Sequence, residues 1–201
     1  MIVRPRRLRS TLATFAPLMD AETAAPLREE LKWIASELGA IRDTEVMIER
    51  LGRHADDLDN PLDAQLARQA VDTSLQLRLH AARSSALAAL RSDRHAQLVA
   101  DLTVAAVDLP VTDAAFATCE QALLPLVARS WRRLARAIAD LELDGPSHEW
   151  HEARIKAKRA RYAADAAAGI FGRRMQNFAR TLADVTELLG LTAAQATEAI
   201  E

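Results

Sequence analysis

The sequence contains few of the residues that form disulfides, turns and aromatic clusters. Among its 201 residues are 1 Cys, 1 Tyr, 6 Gly and 7 Pro, and aromatic residues make up 4%. The single cysteine excludes a disulfide within the chain, so a reducing compartment is the simpler interpretation. Half of the residues are hydrophobic, with Ala and Leu prominent and β-branched residues scarce, which is typical of helices. The sequence therefore predicts an ordered, all-α fold.

Two further absences restrict the function. No apolar run reaches the roughly 18 residues that span a bilayer, and the N-terminus lacks the apolar core of a signal peptide. No Walker-type loop, Gly-x-Ser-x-Gly motif or zinc-ligand spacing is present. The basic clusters also hold almost none of the carboxylates that bind magnesium among phosphates. We therefore expect a cytoplasmic protein that is not an enzyme, with no cofactor, no bound metal and no membrane partner.

Apolar residues recur at helical spacing along nearly the whole chain. Asn60 and Pro61 are a typical N-cap and first helical residue, and Gly190 suits a C′ position after the last long helix. Thr192 begins a segment that resembles a capping box for a short final helix. The predicted long helices cover about residues 4–18, 22–51, 61–90, 93–107, 113–141, 147–171 and 173–189, and Pro125 is expected to kink or interrupt the fifth. A break at residues 108–110 divides one domain, 1–201, into two helical halves, 1–108 and 109–201, each an antiparallel bundle.

Basic residues are clustered, although the formal net charge of the chain is only −2. Runs of basic residues occupy positions 4–9, 129–136 and 154–161, whereas acidic residues gather at positions 56–63. Segregated charge attracts an anion locally even when the total charge is close to neutral. The distribution therefore favours an anionic ligand at one of the basic segments.

The segment after Trp150 carries the strongest functional signal. At 3.6 residues per turn, His151, Arg154, Lys158 and Arg161 align on one helix face as a ladder of basic side chains. Stacked cations repel one another, and Asp165 is the one acid in position to relieve Arg161. A ligand with repeated negative charges would relieve the repulsion, and guanidinium groups match phosphate oxygens in bidentate geometry. A solvated surface helix is an equally good interpretation of the ladder alone.

Several other side chains have two interpretations. Arg42 next to Asp43 fits either an anion contact or a structural ion pair that ties two helices. His148 and His151 have a spacing that a metal site can use, but no third ligand is evident. Packing in the core or between helices is predicted for Trp33, Trp131, Tyr162 and Cys119.

Three parts of the chain resemble, in order, the CHAD family, the conserved histidine α-helical domain. Residues 6–10, RRLRS, resemble the opening helix of the family. Residues 27–33, LREELKW, and 38–43, LGAIRD, resemble its LRxELxW and LGxxRD segments. Residues 151–162, HEARIKAKRARY, resemble its HxxRIxxKRLRY helix. Because the resemblance covers nearly the whole chain, the protein is identified as a divergent member.

The resemblance implies two pseudo-related halves, each a helical bundle, around a basic groove. It implies a non-catalytic module on polyphosphate granules that binds inorganic polyphosphate or another phosphate-rich polyanion. A CYTH-type triphosphatase in a separate chain is the implied protein partner. The anion contacts carried over from the motifs are Arg6, Arg7, Arg9, Arg42, His151, Arg154, Lys158, Arg159 and Arg161. Charge and helical position add Lys32, Arg132 and Arg133 as weaker candidates.

The sequence departs from the family pattern at three places. The His-x-x-Arg that opens the first helix of the family would begin before Met1, with Ile2 in place of the Arg. Near the C-terminus, Gly-Glu-His-Gln-Asp is replaced by residues 190–194, GLTAA, and Ala160 replaces Leu. These losses keep a scaffold or protein-interaction bundle with a degenerate anion site as an alternative. A nucleic-acid binder is a further alternative, disfavoured because stacking aromatics are scarce and no recognition motif is present.

Overall fold

A computed structural model describes residues 5–142 and 145–198, with side chains up to residue 190. Within these residues the regular structure is helical, apart from one isolated antiparallel bridge between Met19 and Val111. The α-helices are α1 Pro5–Phe15, α2 Ala21–Asp56, α3 Pro61–Leu90, α4 Asp93–Val107, α5 Cys119–Ala122, α6 Leu124–Ala139, α7 Ser147–Phe171 and α8 Arg173–Glu198. One-turn 3₁₀ helices follow α1 and precede α5. The all-α prediction is confirmed.

Local capping explains where the helices begin. The Asn60 side chain accepts a hydrogen bond from the Leu62 N–H at 3.0 Å, and Pro61 occupies the first helical position of α3. Ser92 Oγ accepts from the N–H of His95 at 3.2 Å and caps α4. Each such bond satisfies a backbone donor that has no partner within the helix. The predicted bounds of α3 and α4 are confirmed.

Two predicted features near the C-terminus are wrong. The helix does not end at Leu189, because α8 continues through Gly190 to Glu198. The C′ cap at Gly190 and the separate capped helix from Thr192 are therefore absent. A glycine in a helix interior is unfavourable by about 1 kcal/mol, but it does not end the helix when tertiary contacts support the backbone.

The break between α7 and α8 lies where the sequence predicts it. Gly172 has φ 66° and ψ −146°, a conformation that a residue with a Cβ rarely adopts. Its N–H donates to the carbonyl oxygen of Ala168 at 3.0 Å, which closes the last turn of α7. The sharp change of direction allows α8 to pack back along α7.

The described residues up to Ala25 and from Leu109 onward form one compact unit, unit 1. Helix α7 lies at its centre, with α8, α6 and α1 packed against it. Apart from Trp150, the buried residues of α7 are alanines, each at most 1% exposed: Ala153, Ala157, Ala160, Ala163, Ala164 and Ala167. Leu134 of α6 and Leu182 of α8 pack into the same core. Small side chains let neighbouring helix backbones approach closely, so the alanine face sets the positions of the helices around α7.

Residues Pro26–Asp108 form the second compact unit, unit 2, which contains most of α2 with α3 and α4. Ser85 Oγ on α3 donates to Glu37 of α2 at 2.8 Å, and Arg68 of α3 pairs with Asp56 of α2. Arg94 of α4 forms two hydrogen bonds with Glu30 of α2. These polar contacts supplement the buried leucines of the unit. The predicted organisation as one domain of two related halves stays a prediction.

Two residues predicted to lie in the core are exposed. Trp131 on α6 has 41% of its surface exposed, and its ring contacts Phe178 edge-on at a centroid distance of 5.7 Å. Cys119 begins the single turn of α5 and is exposed. The core prediction is wrong for both, because an apolar position does not show how much of a side chain the neighbouring helices cover. Trp33 is half-buried, with the Arg94 guanidinium 4.1 Å above its ring.

Candidate anion-binding site

The basic ladder lies on α7, beside the alanine face. Arg154, Lys158 and Arg161 are half-buried, and His151 is exposed near the N-terminal end of the helix. At 1.5 Å per residue, the ladder from His151 to Arg161 extends about 15 Å along the helix. The packing of α7 explains this orientation, because the alanines face the core and the long basic side chains extend over its edge.

Lys158 is influenced by basic residues of two helices. Burial, the charge of Arg154 and the charge of Arg6 on α1 lower the pKa of the Lys158 ammonium below its usual value of 10.5. Each of these effects disfavours the charged form. Within the part of the chain that the structure describes, no hydrogen bond or ion pair compensates the Lys158 charge. An anion close to Lys158 would therefore remove an unfavourable interaction.

Arg154 is held against α8. Its Nε donates to the backbone carbonyl oxygen of Thr186 at 3.3 Å. A Cβ built on Gly190 would lie 2.9 Å from both Nε and Nη2 of Arg154. Only a residue without a side chain leaves this space free. Gly190 was not predicted as a site residue, because a glycine that follows an apolar repeat is typical of a helix end.

Arg7 of α1 and Arg161 of α7 share one carboxylate. Asp165 Oδ2 lies 3.3 Å from Arg7 Nη2 and 3.8 Å from Arg161 Nε. The Arg7 guanidinium also lies 5.9 Å from the centroid of the Tyr162 ring, a cation–π distance. Two guanidinium groups and one carboxylate leave a net positive charge at this end of the ladder.

We call the five cations that these contacts bring together the α1–α7 cluster. Its members are Arg6, Arg7, Arg154, Lys158 and Arg161. All five were candidates from the sequence. Asp165 and Thr186 are the groups of α7 and α8 that orient Arg7, Arg161 and Arg154. The cluster therefore contains guanidinium and ammonium donors from both α1 and α7.

The remaining candidates lie elsewhere. Arg159 is exposed on α7 about 100° around the helix from Lys158. Arg132 and Arg133 are exposed on α6, and Arg9 is half-buried on α1. Their roles as anion contacts stay predictions.

Two candidates belong to unit 2 and have acidic neighbours on their own helix. Arg42 Nη1 lies 3.8 Å from Glu45, and Lys32 Nζ lies 3.4 Å from Glu29. The ion pair of Arg42 is therefore formed within α2 with Glu45. Both pairs are exposed, and pairs of this kind contribute little to stability. Their roles in anion binding stay predictions.

No group of three or more His, Cys, Asp and Glu side chains among the described residues could hold a metal ion. None of the described helices combines the length and apolar character that crossing a bilayer requires.

A family model described as the CHAD domain matches residues 1–197. The chain belongs to the CHAD family. The solved structure described as PptA from Streptomyces chartreusis resembles this CHAD chain with a TM-score of 0.73 and 28% identity, covering 96% of this chain and 73% of PptA. The resemblance read from the motifs is confirmed.

Two longer relatives of this CHAD chain come from Mycobacterium tuberculosis. The uncharacterized proteins MT2285 of strain CDC 1551 / Oshkosh and Rv2226 of strain ATCC 25618 / H37Rv are each 30% identical over 174 residues. Each alignment covers 83% of this chain and 33% of the relative. The CHAD chain therefore spans about one third of the length of these relatives.

Proposed function

We propose that this CHAD chain is a non-catalytic module that binds inorganic polyphosphate, or another phosphate-rich polyanion, at the α1–α7 cluster. The observation that carries the proposal is that half-buried Lys158 lies within the influence of half-buried Arg154 and exposed Arg6, and that no carboxylate among the described residues pairs with it. A phosphate chain would bring negative charge to several members of the cluster at once.

The chemistry of the cluster favours phosphate over other anions. Guanidinium groups pair with phosphate oxygens in bidentate geometry, and the α7 ladder repeats its cations along one line. A polymer with a charge on every unit can contact successive rungs, whereas a single small anion neutralises one or two. A single-stranded nucleic acid would also present bases, which proteins bind by stacking them on aromatic side chains. Aromatic residues make up only 4% of this sequence, which disfavours nucleic acid as the ligand.

The finer parts of the proposal concern the setting of the module. We place it in the cytoplasm on polyphosphate granules, with a CYTH-type triphosphatase in a separate chain as a partner. The family membership supports this setting. A scaffold with a degenerate anion site is the alternative, and the ion pairs that Asp165 forms with Arg7 and Arg161 favour it, because they already satisfy part of the cluster.

The test is a binding titration with long-chain polyphosphate. Wild type should retain polyphosphate at low salt, and its affinity should fall steeply with salt as counterions are released. The triple variant R154A/K158A/R161A should lose most of this affinity. The matched control R53A/R78A/R91A removes three exposed arginines from unit 2 and should bind as wild type does.

Three outcomes would contradict the proposal. Wild type that does not retain polyphosphate at low salt would remove it. Equal losses in the two triple variants would show that only the overall charge matters. Duplex DNA or RNA that displaces polyphosphate at equal phosphate concentration would favour a nucleic-acid binder.

A further inference from the structure

Helices α7 and α8 leave an open cleft next to the α1–α7 cluster. Its volume is about 260 Å³, and its polar lining consists of Arg161, Asp165, Gln176 and Arg180. Three alanines complete the lining, so no bulky apolar group fills the space. Arg161 therefore belongs both to the ladder on α7 and to this cleft.

The charges in the cleft favour an anion. Asp165 is the one carboxylate in the lining, and it already pairs with Arg7 and Arg161. Arg180 on α8 is exposed, and its Nη1 donates to the neutral side chain of Asn177 at 3.0 Å. The guanidinium charge of Arg180 is not neutralised by this contact. Gln176 adds an amide that can donate to a phosphate oxygen.

The path of the ladder leads to the same place. Arg154, Lys158 and Arg161 follow one face of α7, and the next residue on that face toward the C-terminus is Asp165. A phosphate chain that continued straight along α7 would meet this carboxylate. Arg180 lies across the cleft on α8, so a chain that turns into the cleft meets a cation and not the Asp165 carboxylate.

We propose that the cleft between α7 and α8 is a further phosphate subsite, in which Arg180 and Gln176 bind the part of the chain beyond Arg161. The inference rests on the proposed function and adds a requirement for the length of the phosphate chain. A ligand that contacts Arg154 and Arg180 together must extend beyond the roughly 10 Å from Arg154 to Arg161. A short oligophosphate is satisfied by the ladder alone and does not need Arg180.

The experiment compares R180A with R174A for two ligands, tripolyphosphate and long-chain polyphosphate. Arg174 is an exposed arginine of α8 outside the cleft, so R174A removes the same charge from the same helix. R180A should weaken long-chain binding roughly threefold to tenfold, as the loss of one charge-assisted contact at an exposed site does, and leave tripolyphosphate binding unchanged. R174A should leave both unchanged.

The outcomes separate the two proposals. Long-chain affinity that is equal in R180A and R174A, while R154A/K158A/R161A loses binding, would overturn the subsite and leave the proposed function in place. Equal weakening of both ligands by R180A would overturn the length requirement. Wild type that binds neither ligand would overturn the proposed function and the subsite with it. Melting temperatures of both variants check that each is folded.

Discussion

The guanidinium of Arg154 lies against the backbone of Gly190, so close that a Cβ on Gly190 would be 2.9 Å from two of its nitrogens. Helix α8 continues on both sides of this glycine. An alanine there would favour the helix by about 1 kcal/mol. The glycine therefore holds space for Arg154 at the expense of helix propensity, and it couples the geometry of α8 to the basic ladder of α7.

The first prediction concerns this contact. G190A should leave the free energy of unfolding unchanged or raise it by up to about 1 kcal/mol, because Ala favours the helix and displaces only the end of a flexible side chain. Polyphosphate affinity should fall, because Arg154 moves away from Thr186. G169A is the matched control, since a Cβ on Gly169 of α7 meets nothing within 4 Å. A loss of affinity by G190A in the R154A background as large as in wild type would contradict the coupling.

The second prediction concerns pH. Burial and the charges of Arg154 and Arg6 lower the pKa of Lys158 in the folded state. Between that lowered pKa and 10.5, Lys158 therefore holds its proton more often in the unfolded chain than in the folded one. Stability should therefore rise with pH across this window. K158M should flatten the rise and be more stable than wild type below the window, as measured by urea unfolding from pH 8 upward. K156M, which removes a lysine paired with Glu152 at 3.2 Å, should not reproduce this change.

The third prediction separates stability from binding. D165N removes the carboxylate that Arg7 and Arg161 share. Because these ion pairs are partly exposed, we expect the free energy of unfolding to fall by only about 0.5–1 kcal/mol. Polyphosphate affinity should rise, because a competing negative charge leaves the site and both guanidiniums become available. Urea unfolding and a binding titration measure the two effects. E152Q, whose carboxylate pairs with Lys156, is the control, and a fall in affinity in D165N would contradict the prediction.

The fourth prediction concerns unit 2. Arg94 binds Glu30 through two hydrogen bonds of 2.6 and 2.9 Å, and its guanidinium lies over the Trp33 ring. Lysine can reproduce neither the two hydrogen bonds to Glu30 nor the stacking on Trp33, so R94K should lower the urea midpoint of unfolding. R83K is the control and should lower the midpoint less, because Arg83 has a single 3.3 Å contact with Glu45. Polyphosphate affinity should not change in either variant. Equal urea midpoints for R94K and R83K would contradict the prediction and show that only the charge of the side chain matters.

The same contact predicts behaviour in acid. The hydrogen bond from Arg94 lowers the pKa of the Glu30 carboxyl below its usual 4.5, although burial acts in the opposite direction. Its contribution to stability is present above pH 4.5 and is lost as pH falls through the lowered pKa. R94K should reduce this loss in urea unfolding followed from pH 6 to pH 3. If R94K loses as much stability as wild type between pH 6 and pH 3, then protonation of Glu30 does not cause that loss.

Much of the fold could be predicted because local signals decide it. Asn60 and Ser92 are caps whose partners lie two or three residues away, so the sequence alone places α3 and α4. The ladder of Arg154, Lys158 and Arg161 depends only on helical periodicity. Gly190 could not be interpreted this way, because a glycine after an apolar repeat indicates a helix end unless a distant side chain needs the space.

The site itself depends on contacts between distant parts of the chain. Asp165 was recognised as a neighbour of Arg161, but its ion pair with Arg7 joins residues far apart in sequence. The exposure of Trp131 likewise depends on what packs against α6. Periodicity assigns a residue to a face, and only tertiary packing shows what covers that face.

The alanine face of α7 has a consequence for selectivity. Alanine has no rotamers to change, so the alanine face of α7 cannot adapt to a ligand by rearranging its own side chains. The backbone then fixes the intervals at which the basic side chains begin. We expect such a surface to discriminate anions by the spacing of their charges more than by their total charge, so that two polyanions of equal charge and different repeat would bind unequally.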